Sequence, residues 1–180
     1  MQVCLDRGVD IINDIGALQA PGALDAVAAH ANCGVCLMHM QGDPQTMQNQ
    51  PKYEDVTAEV FAFLKKRIEI CETAGIGKDY IIADPGIGFG KAIEHNVKLL
   101  QYVSKFHDLG VPLLVGLSRK SFISHICKEN PTLSDPMQRL PGSVASALWC
   151  LQQGVQLFRV HDVAQTRQAF SVYEAIRSIA

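Results

Sequence analysis

Five short apolar runs recur along the 180-residue chain, and each follows a glycine and ends in polar residues. The runs cover residues 9–15, 35–40, 80–84, 111–118 and 155–162. A glycine in that place is typical of a helix C-cap, because it adopts the left-handed conformation without a Cβ penalty. The almost continuous apolar character of the runs predicts parallel strands that are covered on both faces.

The segments between these runs carry helical periodicity. One buried helix face is predicted by apolar residues that recur every three or four positions, namely Val56, Val60, Leu64, Ile68 and Cys71. Ser143 is predicted to cap a helix over 144–151, with Pro141 breaking what precedes it. A final helix is predicted from about Val163 to Ile179, the tail of another over 2–7, and a loop over 41–52.

Strands that alternate with helices indicate an α/β protein, and one domain is predicted over residues 1–180. Two architectures satisfy the pattern, an open doubly wound sheet and an eight-stranded (β/α) barrel. In both, ligands bind at the carboxyl ends of the strands, where this sequence places its polar clusters. Five strands do not close a barrel of eight, so a barrel assignment implies a partial one.

Composition excludes several classes of protein. The chain is 48% hydrophobic and 19% charged with a formal net charge of -2, which favours neither nucleic acid nor an acidic membrane surface as partner. No apolar stretch approaches the ~18–20 residues of a membrane span, and the N-terminus does not resemble a signal peptide. The six cysteines fall mostly in apolar segments, which predicts reduced core thiols in a cytoplasmic protein.

The segment 84–91 carries the strongest candidate chemistry, because Asp84 ends a strand and is followed by three glycines, Phe89 and Lys91. Its spacing matches neither a P-loop nor a dinucleotide-binding fingerprint. A buried carboxylate accepts two hydrogen bonds from a ligand edge that bears N–H groups, and Phe89 stacks on or shields a flat ring. The glycines are expected to let the backbone approach the ligand; the alternative is a glycine-rich turn without special role.

Two cationic clusters follow later strands. Arg119 and Lys120 lie between a strand end and a predicted helix start, which suits an anionic or carbonyl-bearing ligand, or else a solvated surface pair. Arg159 and His161 fall on one face of the last strand and suit a phosphate or pyrophosphate group. The alternative for that cluster is a structural Arg–Asp pair with Asp162.

Weaker signals come from the remaining polar positions. Asn13 at a strand end suits a ligand amide edge, although Asn and Asp also begin turns. His39 is equally a hydrogen-bonded core residue or a site residue, and a copper site in Met-His-Met is a minor hypothesis. Cys33 and Cys36 form a CxxC that precedes a strand, which is the wrong place for a redox motif and favours a structural role.

Taken together, the blocks 12–15, 37–42, 84–91, 116–121 and 159–162 resemble dihydropteroate synthases, in the order in which that family carries them. The resemblance implies the TIM-barrel (β/α)8 fold, here as a partial barrel of about five parallel strands. It implies condensation of p-aminobenzoate with 6-hydroxymethyl-7,8-dihydropterin pyrophosphate in folate biosynthesis, giving dihydropteroate and pyrophosphate. It also implies assistance by Mg2+, competition by sulfonamides and a homodimer.

The resemblance assigns a role to individual residues. Those that would bind the pterin are Asn13, Met38, Asp84, Phe89, Gly116 and Lys120. Those that would bind p-aminobenzoate are Gly88, Ser118 and Arg119. Those that would bind pyrophosphate are Arg159 and His161. No metal ligand is expected within this chain, because the family's ligand lies in N-terminal strands that have no counterpart here.

The chain therefore resembles barrel strands four to eight, the C-terminal portion of a synthase. On this basis the isolated chain is expected to give little or no turnover, since the metal-site strand and two mobile loops are not among its residues. The alternatives are a non-catalytic pterin-binding or assembly subunit and a pterin-dependent methyltransferase domain. The block from Ser118 to Lys120 favours the synthase over the methyltransferase.

Overall fold

The computed structural model describes residues 1–30, 32–42, 47 and 50–178. Five strands lie where the sequence predicts them, although each is shorter than its apolar run. They are β1 (Ile11–Asp14), β2 (Gly34–Met38), β3 (Ile81–Asp84), β4 (Leu114–Val115) and β5 (Leu157–Phe158).

All the strand pairings are parallel. β1, β2 and β3 form one sheet in chain order, and β4 pairs with β5 in a second. A parallel bridge between Ala83 and Leu113 joins the two sheets, so the strands follow one another in sequence order. In the described part of the chain, β1 and β5 are the outer strands. This is the predicted partial barrel of five parallel strands.

Helices alternate with the strands and cover one face of the sheet. The α-helices are α1 (Gln2–Leu5), α2 (Ala23–Ala28), α3 (Val56–Thr73), α4 (Ile93–Gln101), α5 (Ser121–Ile126), α6 (Leu140–Gln152) and α7 (Val163–Ser178). Short 3-10 helices span Lys78–Tyr80, Val103–Leu109, Pro131–Ser134 and Pro136–Arg139. Asp55 caps α3 by accepting from the N–H groups of Thr57 and Ala58, whereas part of the predicted loop 41–52 lies outside the described residues.

The predicted start of α6 is wrong. Pro141 lies in the first turn of the helix, which begins at Leu140, and Ser143 is inside it. A proline is tolerated there because the first N–H groups of a helix have no intrahelical partner. The Ser143 hydroxyl donates to the Arg139 carbonyl at 2.8 Å and accepts from the Arg119 N–H at 2.9 Å. It therefore ties α6 to the loop after β4 instead of capping the helix.

The two faces of the sheet differ in chemistry, because alternate residues of a strand point to opposite sides. One face joins the helices in a continuous core, in which Val35, Leu37 and Ile81 are completely buried together with Val60 and Leu64 of α3. Burial of each such side chain contributes about 1.5–3 kcal/mol to stability. The residues of the other face include the chemistry-bearing positions, in a register that places Asn13 beside Cys36 and Met38 beside Asp84.

The cysteines lie as free thiols, with Cys33, Cys36, Cys71 and Cys150 buried. Burial raises the pKa of Cys36 to about 12, so this CxxC thiol is not a nucleophile at neutral pH. The structural interpretation of the CxxC agrees with this environment. Among the described residues, no helix is both long enough and apolar enough to cross a membrane.

Candidate functional site

Asp84 lies at the carboxyl end of β3 and is 5% exposed. Its Oδ1 accepts from the Gly86 N–H at 2.8 Å. Burial raises its pKa from 3.8 to about 6, and this effect is opposed by the Gly86 hydrogen bond and by the positive charges of Lys120, Lys91 and Arg159. A nearly buried carboxylate among three cations can receive a ligand edge that bears N–H groups.

Gly86 and Gly90 let the turn after β3 pack against the end of β2. Both have left-handed backbones, with φ values of 68° and 62°. A Cβ on Gly86 would overlap the His39 carbonyl oxygen, and one on Gly90 would overlap the Gln41 carbonyl oxygen. The glycines were expected to let the backbone approach a ligand. For Gly86 and Gly90 this is wrong, because the space beside them is filled by the protein's own backbone.

Lys91 does not face solvent or an open site. It is 2% exposed, and its Nζ lies 3.0 Å from His39 Nδ1 and 2.9 Å from the Phe89 carbonyl oxygen, to which it donates. His39 is 7% exposed and packs edge-on against Phe63 with ring centroids 4.9 Å apart. Of the two sequence hypotheses for His39, the hydrogen-bonded core residue is the one that the structure supports.

Asn96 holds the same turn from α4, and the sequence carried no signal for it beyond an amide on a helix. It is 3% exposed, and its Oδ1 accepts from the Gly88 N–H at 2.6 Å. Its Nδ2 donates to the carbonyls of Lys91 at 3.2 Å and Ala92 at 2.8 Å. The Tyr53 hydroxyl donates to the Gly90 carbonyl at 2.8 Å, so the turn is anchored both from α4 and from the loop before α3.

Lys120 and Phe89 meet across the site. The Lys120 Nζ lies 3.9 Å from the centre of the Phe89 ring, a distance at which an ammonium is attracted by the aromatic face. Burial lowers the pKa of Lys120 to about 8, partly offset by the negative charge of Asp84. The structure thus brings together three of the predicted pterin residues, Asp84, Phe89 and Lys120.

Gly116 and Arg159 are also adjacent. A Cβ on Gly116 would lie 3.1 Å from Arg159 Nη2, so the missing side chain makes room for the guanidinium. Arg159 is exposed and follows β5, and its charge acts on Asp84 and on Lys120. The predicted pyrophosphate residue therefore lies beside the predicted pterin residues.

The predicted p-aminobenzoate residues already have partners within the protein. Arg119 has φ 61° and forms an ion pair with Asp162. The structural alternative, in which Asp162 pairs with Arg159, is therefore wrong. The Ser118 hydroxyl accepts from the His161 N–H at 3.2 Å and lies 3.0 Å from His161 Nδ1. These contacts join the loop after β4 to the end of β5.

Asn13 and Met38 lie on the same face of the sheet as Asp84, opposite the helices, which we call the inner face. Asn13 is exposed, whereas Met38 is 3% exposed and pairs in register with Asp84.

Asp14 points to the other face, where its carboxylate accepts from the N–H groups of Gly16 at 3.1 Å and Leu18 at 2.7 Å. Asp14 is therefore a turn residue, which agrees with the alternative that Asn and Asp begin turns.

A metal is not supported by the side chains that the structure describes. Within residues 1–30, 32–42, 47 and 50–178, no three His, Cys, Asp or Glu residues come together as a metal site would require. His39 Nδ1 is engaged by Lys91, which leaves the copper hypothesis without support. The expectation of Mg2+ is not affected by this, because its ligand was expected outside these residues and Mg2+ often takes only one or two protein ligands.

The family is shown by comparison with known proteins. The sequence model of the pterin binding enzymes matches residues 1–161. This chain belongs to that family. It is 49% identical over 171 residues to the dihydropteroate synthase of Escherichia coli K12, a match that covers 95% of this chain and 58% of that protein. The chain thus spans about three-fifths of the length of the curated relatives that it matches.

Solved structures of this pterin-binding family share the fold. Dihydropteroate synthase from Stenotrophomonas maltophilia superposes with a TM-score of 0.93 at 42% identity, covering 99% of this chain and 66% of that one. The likeness extends over β1 to β5 and the helices between them. It confirms the sequence-based assignment to the (β/α)8 barrel class, here as a partial barrel.

Proposed function

We propose that this chain is the pterin-binding part of a dihydropteroate synthase, which condenses p-aminobenzoate with 6-hydroxymethyl-7,8-dihydropterin pyrophosphate. The observation that carries the proposal is the buried Asp84 carboxylate at the end of β3, with Lys120 and Arg159 acting on it. Relatives with the same fold were solved with 4-aminobenzoic acid, with 7,8-dihydropteroate and with a sulfonamide drug. Sulfonamides are accordingly proposed to compete for the p-aminobenzoate position.

On this proposal the pterin lies on the inner face of the sheet. Asp84 accepts two hydrogen bonds from the guanidine-like edge of the pterin, because a carboxylate offers two oxygens to such an edge. Lys120 contacts the pterin carbonyl, and Phe89 lines the pocket beside it. Asn13 and Met38 border the ring from β1 and β2, and Gly116 leaves the space between.

The anionic groups lie toward β4 and β5. Arg159 and His161, both exposed, take the pyrophosphate. Gly88, Ser118 and Arg119 border the p-aminobenzoate. Departure of pyrophosphate leaves positive charge on the pterin methylene, which the aryl amine then attacks. A weakly basic aryl amine needs no strong base, so the main task of these residues is to stabilise the leaving anion and orient the reactants.

Calorimetry with a pterin tests the site. Asp84→Asn is expected to weaken binding by about 2–3 kcal/mol, because it removes a charge-assisted pair of hydrogen bonds from a buried place. The matched control is Asp79→Asn, since Asp79 is exposed at the opposite end of β3. An affinity unchanged by Asp84→Asn would remove Asp84 from the site.

Activity is a separate question, and we propose that residues 1–180 assayed alone bind a pterin with little or no turnover. The support is that β1 and β5 each pair on one side only in the described part of the chain, with Ile11 of β1 49% exposed. Open strand edges favour association with further strands. Synthase turnover by the purified chain would contradict this, and pterin binding that never leads to turnover in any longer form would favour the non-catalytic module.

A cytoplasmic homodimer is proposed as well. An apolar groove between α4, α5 and α6 supports the dimer, with Val97 43%, Ile126 54% and Trp149 44% exposed. Sedimentation equilibrium is expected to give a dimer that Val97→Asp dissociates. Val3→Asp is the control, because Val3 is 66% exposed away from the groove. A monomer in the unmutated protein would contradict the proposal.

A further inference from the structure

The ammonium of Lys91 is enclosed by acceptors of the protein itself. Its Nζ lies 3.0 Å from His39 Nδ1, 3.3 Å from the His39 carbonyl oxygen and 2.9 Å from the Phe89 carbonyl oxygen. An ammonium has three N–H donors and no acceptor, so three acceptors use its whole capacity. The group is therefore fully hydrogen-bonded within the protein while remaining 2% exposed.

Within the described part of the chain, this charge has no carboxylate partner at ion-pair distance. The ion pairs found among the described residues do not include Lys91. A buried ammonium without a paired anion is costly, and burial lowers the pKa of Lys91 from 10.5 to about 7, partly offset by Asp84. Burial and the Lys91 charge lower the pKa of His39 to about 3, so its ring is neutral and accepts at Nδ1.

Lys91 connects two segments beside the proposed site. It joins the end of β2, at His39, to the turn after β3, at Phe89. The His39 N–H also donates to the Asp84 carbonyl at 3.1 Å, and Gly86 packs beneath the His39 carbonyl. Lys91 thus lies behind the carboxylate and the aromatic ring of the proposed pterin site without lining it.

We propose that Lys91 is a positioning residue, whose buried ammonium holds the turn 85–90 against the end of β2 and places a positive charge behind the Asp84 carboxylate. That this turn borders a pterin site rests on the proposed function. The place of Lys91 behind the turn does not, because it follows from the contacts of Lys91 with His39 and Phe89.

The other charges that face this pair are few. Lys120 and Arg159 also favour the ionised form of Asp84. Lys120 disfavours the charged form of Lys91, whereas Asp84 favours it. The Cys36 thiol faces Asp84 as well but stays protonated, because its pKa is raised to about 12. Removing Lys91 therefore takes away one of three cations that hold Asp84 ionised.

Carboxyl-carbon NMR on the ligand-free protein tests the proposal directly. Lys91→Met keeps the length of the side chain and removes its charge, and it is expected to raise the Asp84 titration midpoint by about one pH unit. Lys91→Arg is expected to restore it, because the guanidinium stays charged. Lys66→Met, at an exposed lysine of α3, is the control. An Asp84 midpoint unmoved by Lys91→Met overturns the proposal.

A second measurement uses the unmutated protein, so the proposal does not depend on the folding of a variant. The Asp84 carbon signal is expected to show a second inflection that coincides with titration of the Lys91 nitrogen near pH 7, well below the ordinary 10.5. Titration of the Lys91 nitrogen without any accompanying inflection of the Asp84 signal overturns the proposal.

Pterin affinity then separates the two proposals. With Lys91→Met we expect pterin binding to weaken about tenfold at pH 5 but only about twofold at pH 7, because the Asp84 carboxyl of the parent, with a pKa of about 6, is already mostly ionised at pH 7. If the Asp84 midpoint moves but Asp84→Asn leaves pterin affinity unchanged, the proposed function fails while the role of Lys91 in ionising Asp84 stands. If Asp84→Asn weakens binding and Lys91→Met does not move the midpoint, only the role of Lys91 fails.

Discussion

Arg119 and Asp162 form a two-point ion pair between the loop after β4 and the end of β5. Arg119 Nη2 lies 2.7 Å from Asp162 Oδ1, and Nε lies 3.1 Å from Oδ2. This fork-to-fork geometry is specific to arginine, since lysine presents a single point charge. The backbone of Arg119 is held as well, with its N–H donating to Ser143 and its carbonyl accepting from Arg139. The pair therefore fixes the loop that bears Ser118.

Asp162→Asn is expected to lower the melting temperature at neutral pH. The hydrogen bond from Arg119 holds the pKa of Asp162 below its ordinary 3.8, so the carboxylate stabilises the fold above that pH. The contribution is lost as the pH falls through the lower, folded-state value. The melting temperatures of the variant and the parent should thus converge only below pH 3.8. Asp108→Asn, at an exposed aspartate, is the control, and an equal effect there would contradict the prediction.

Gly86→Ala is expected to destabilise the protein far more than Gly8→Ala. The two glycines have similar left-handed backbones, with φ values of 68° and 74°. Gly8 has open space where a Cβ would lie, whereas at Gly86 the Cβ would overlap the His39 carbonyl. Urea denaturation should show a loss of about 1–2 kcal/mol for Gly8→Ala, from the backbone alone. Gly86→Ala should lose about 3 kcal/mol or more, and equal losses would show that the close contact is relieved at little cost.

Asp84→Asn is expected to increase stability at neutral pH while weakening pterin binding. Burial raises the pKa of Asp84 from 3.8 to about 6, so between these values the folded protein holds a proton that the unfolded chain has released. The free energy of unfolding therefore falls as the pH rises through this window. Above it, the asparagine variant should be more stable by about 2–3 kcal/mol.

The stability gain of Asp84→Asn should disappear below pH 3.8, where the carboxyl is protonated in both states. Thermal unfolding followed across the pH range measures it, with Asp79→Asn as the control. A variant less stable than the parent at neutral pH would show that the surrounding cations outweigh the burial of the charge.

Asn96→Ala is expected to cost more than an exposed Asn→Ala change. Asn96 is 3% exposed and its amide makes three hydrogen bonds to the backbone of the turn and of the start of α4. Loss of these bonds in a buried place should cost about 2–4 kcal/mol. Asn130 is exposed and caps a 3-10 helix, so Asn130→Ala should cost about 1 kcal/mol or less in the same denaturation assay. Similar losses would contradict the buried role of Asn96.

Much of the fold could be predicted from the pattern of apolar residues. The five strands and the long helix α3 follow from periodicity, since burial on one or two faces leaves a regular trace in the sequence. The start of α6 could not be predicted in this way. Ser143 is a good N-cap by composition, but its hydroxyl is taken up by Arg119 and Arg139, whose proximity only the folded chain creates.

The residues of the candidate site were predictable only in part. Asp84, Phe89, Lys120 and Arg159 were predictable, because strand ends of a parallel sheet meet at one rim whatever the details of the loops.

By itself, the sequence determined the strand–helix alternation, the family and the rim that carries the polar residues, since these depend on local periodicity and local motifs. Only the tertiary structure decided which of those residues stay accessible and which hold the protein together. Lys91 appears in the sequence as one more cation at the rim, yet it is turned inward onto His39, 52 residues away. Such contacts depend on the packing of distant segments, which leaves no periodic trace along the chain.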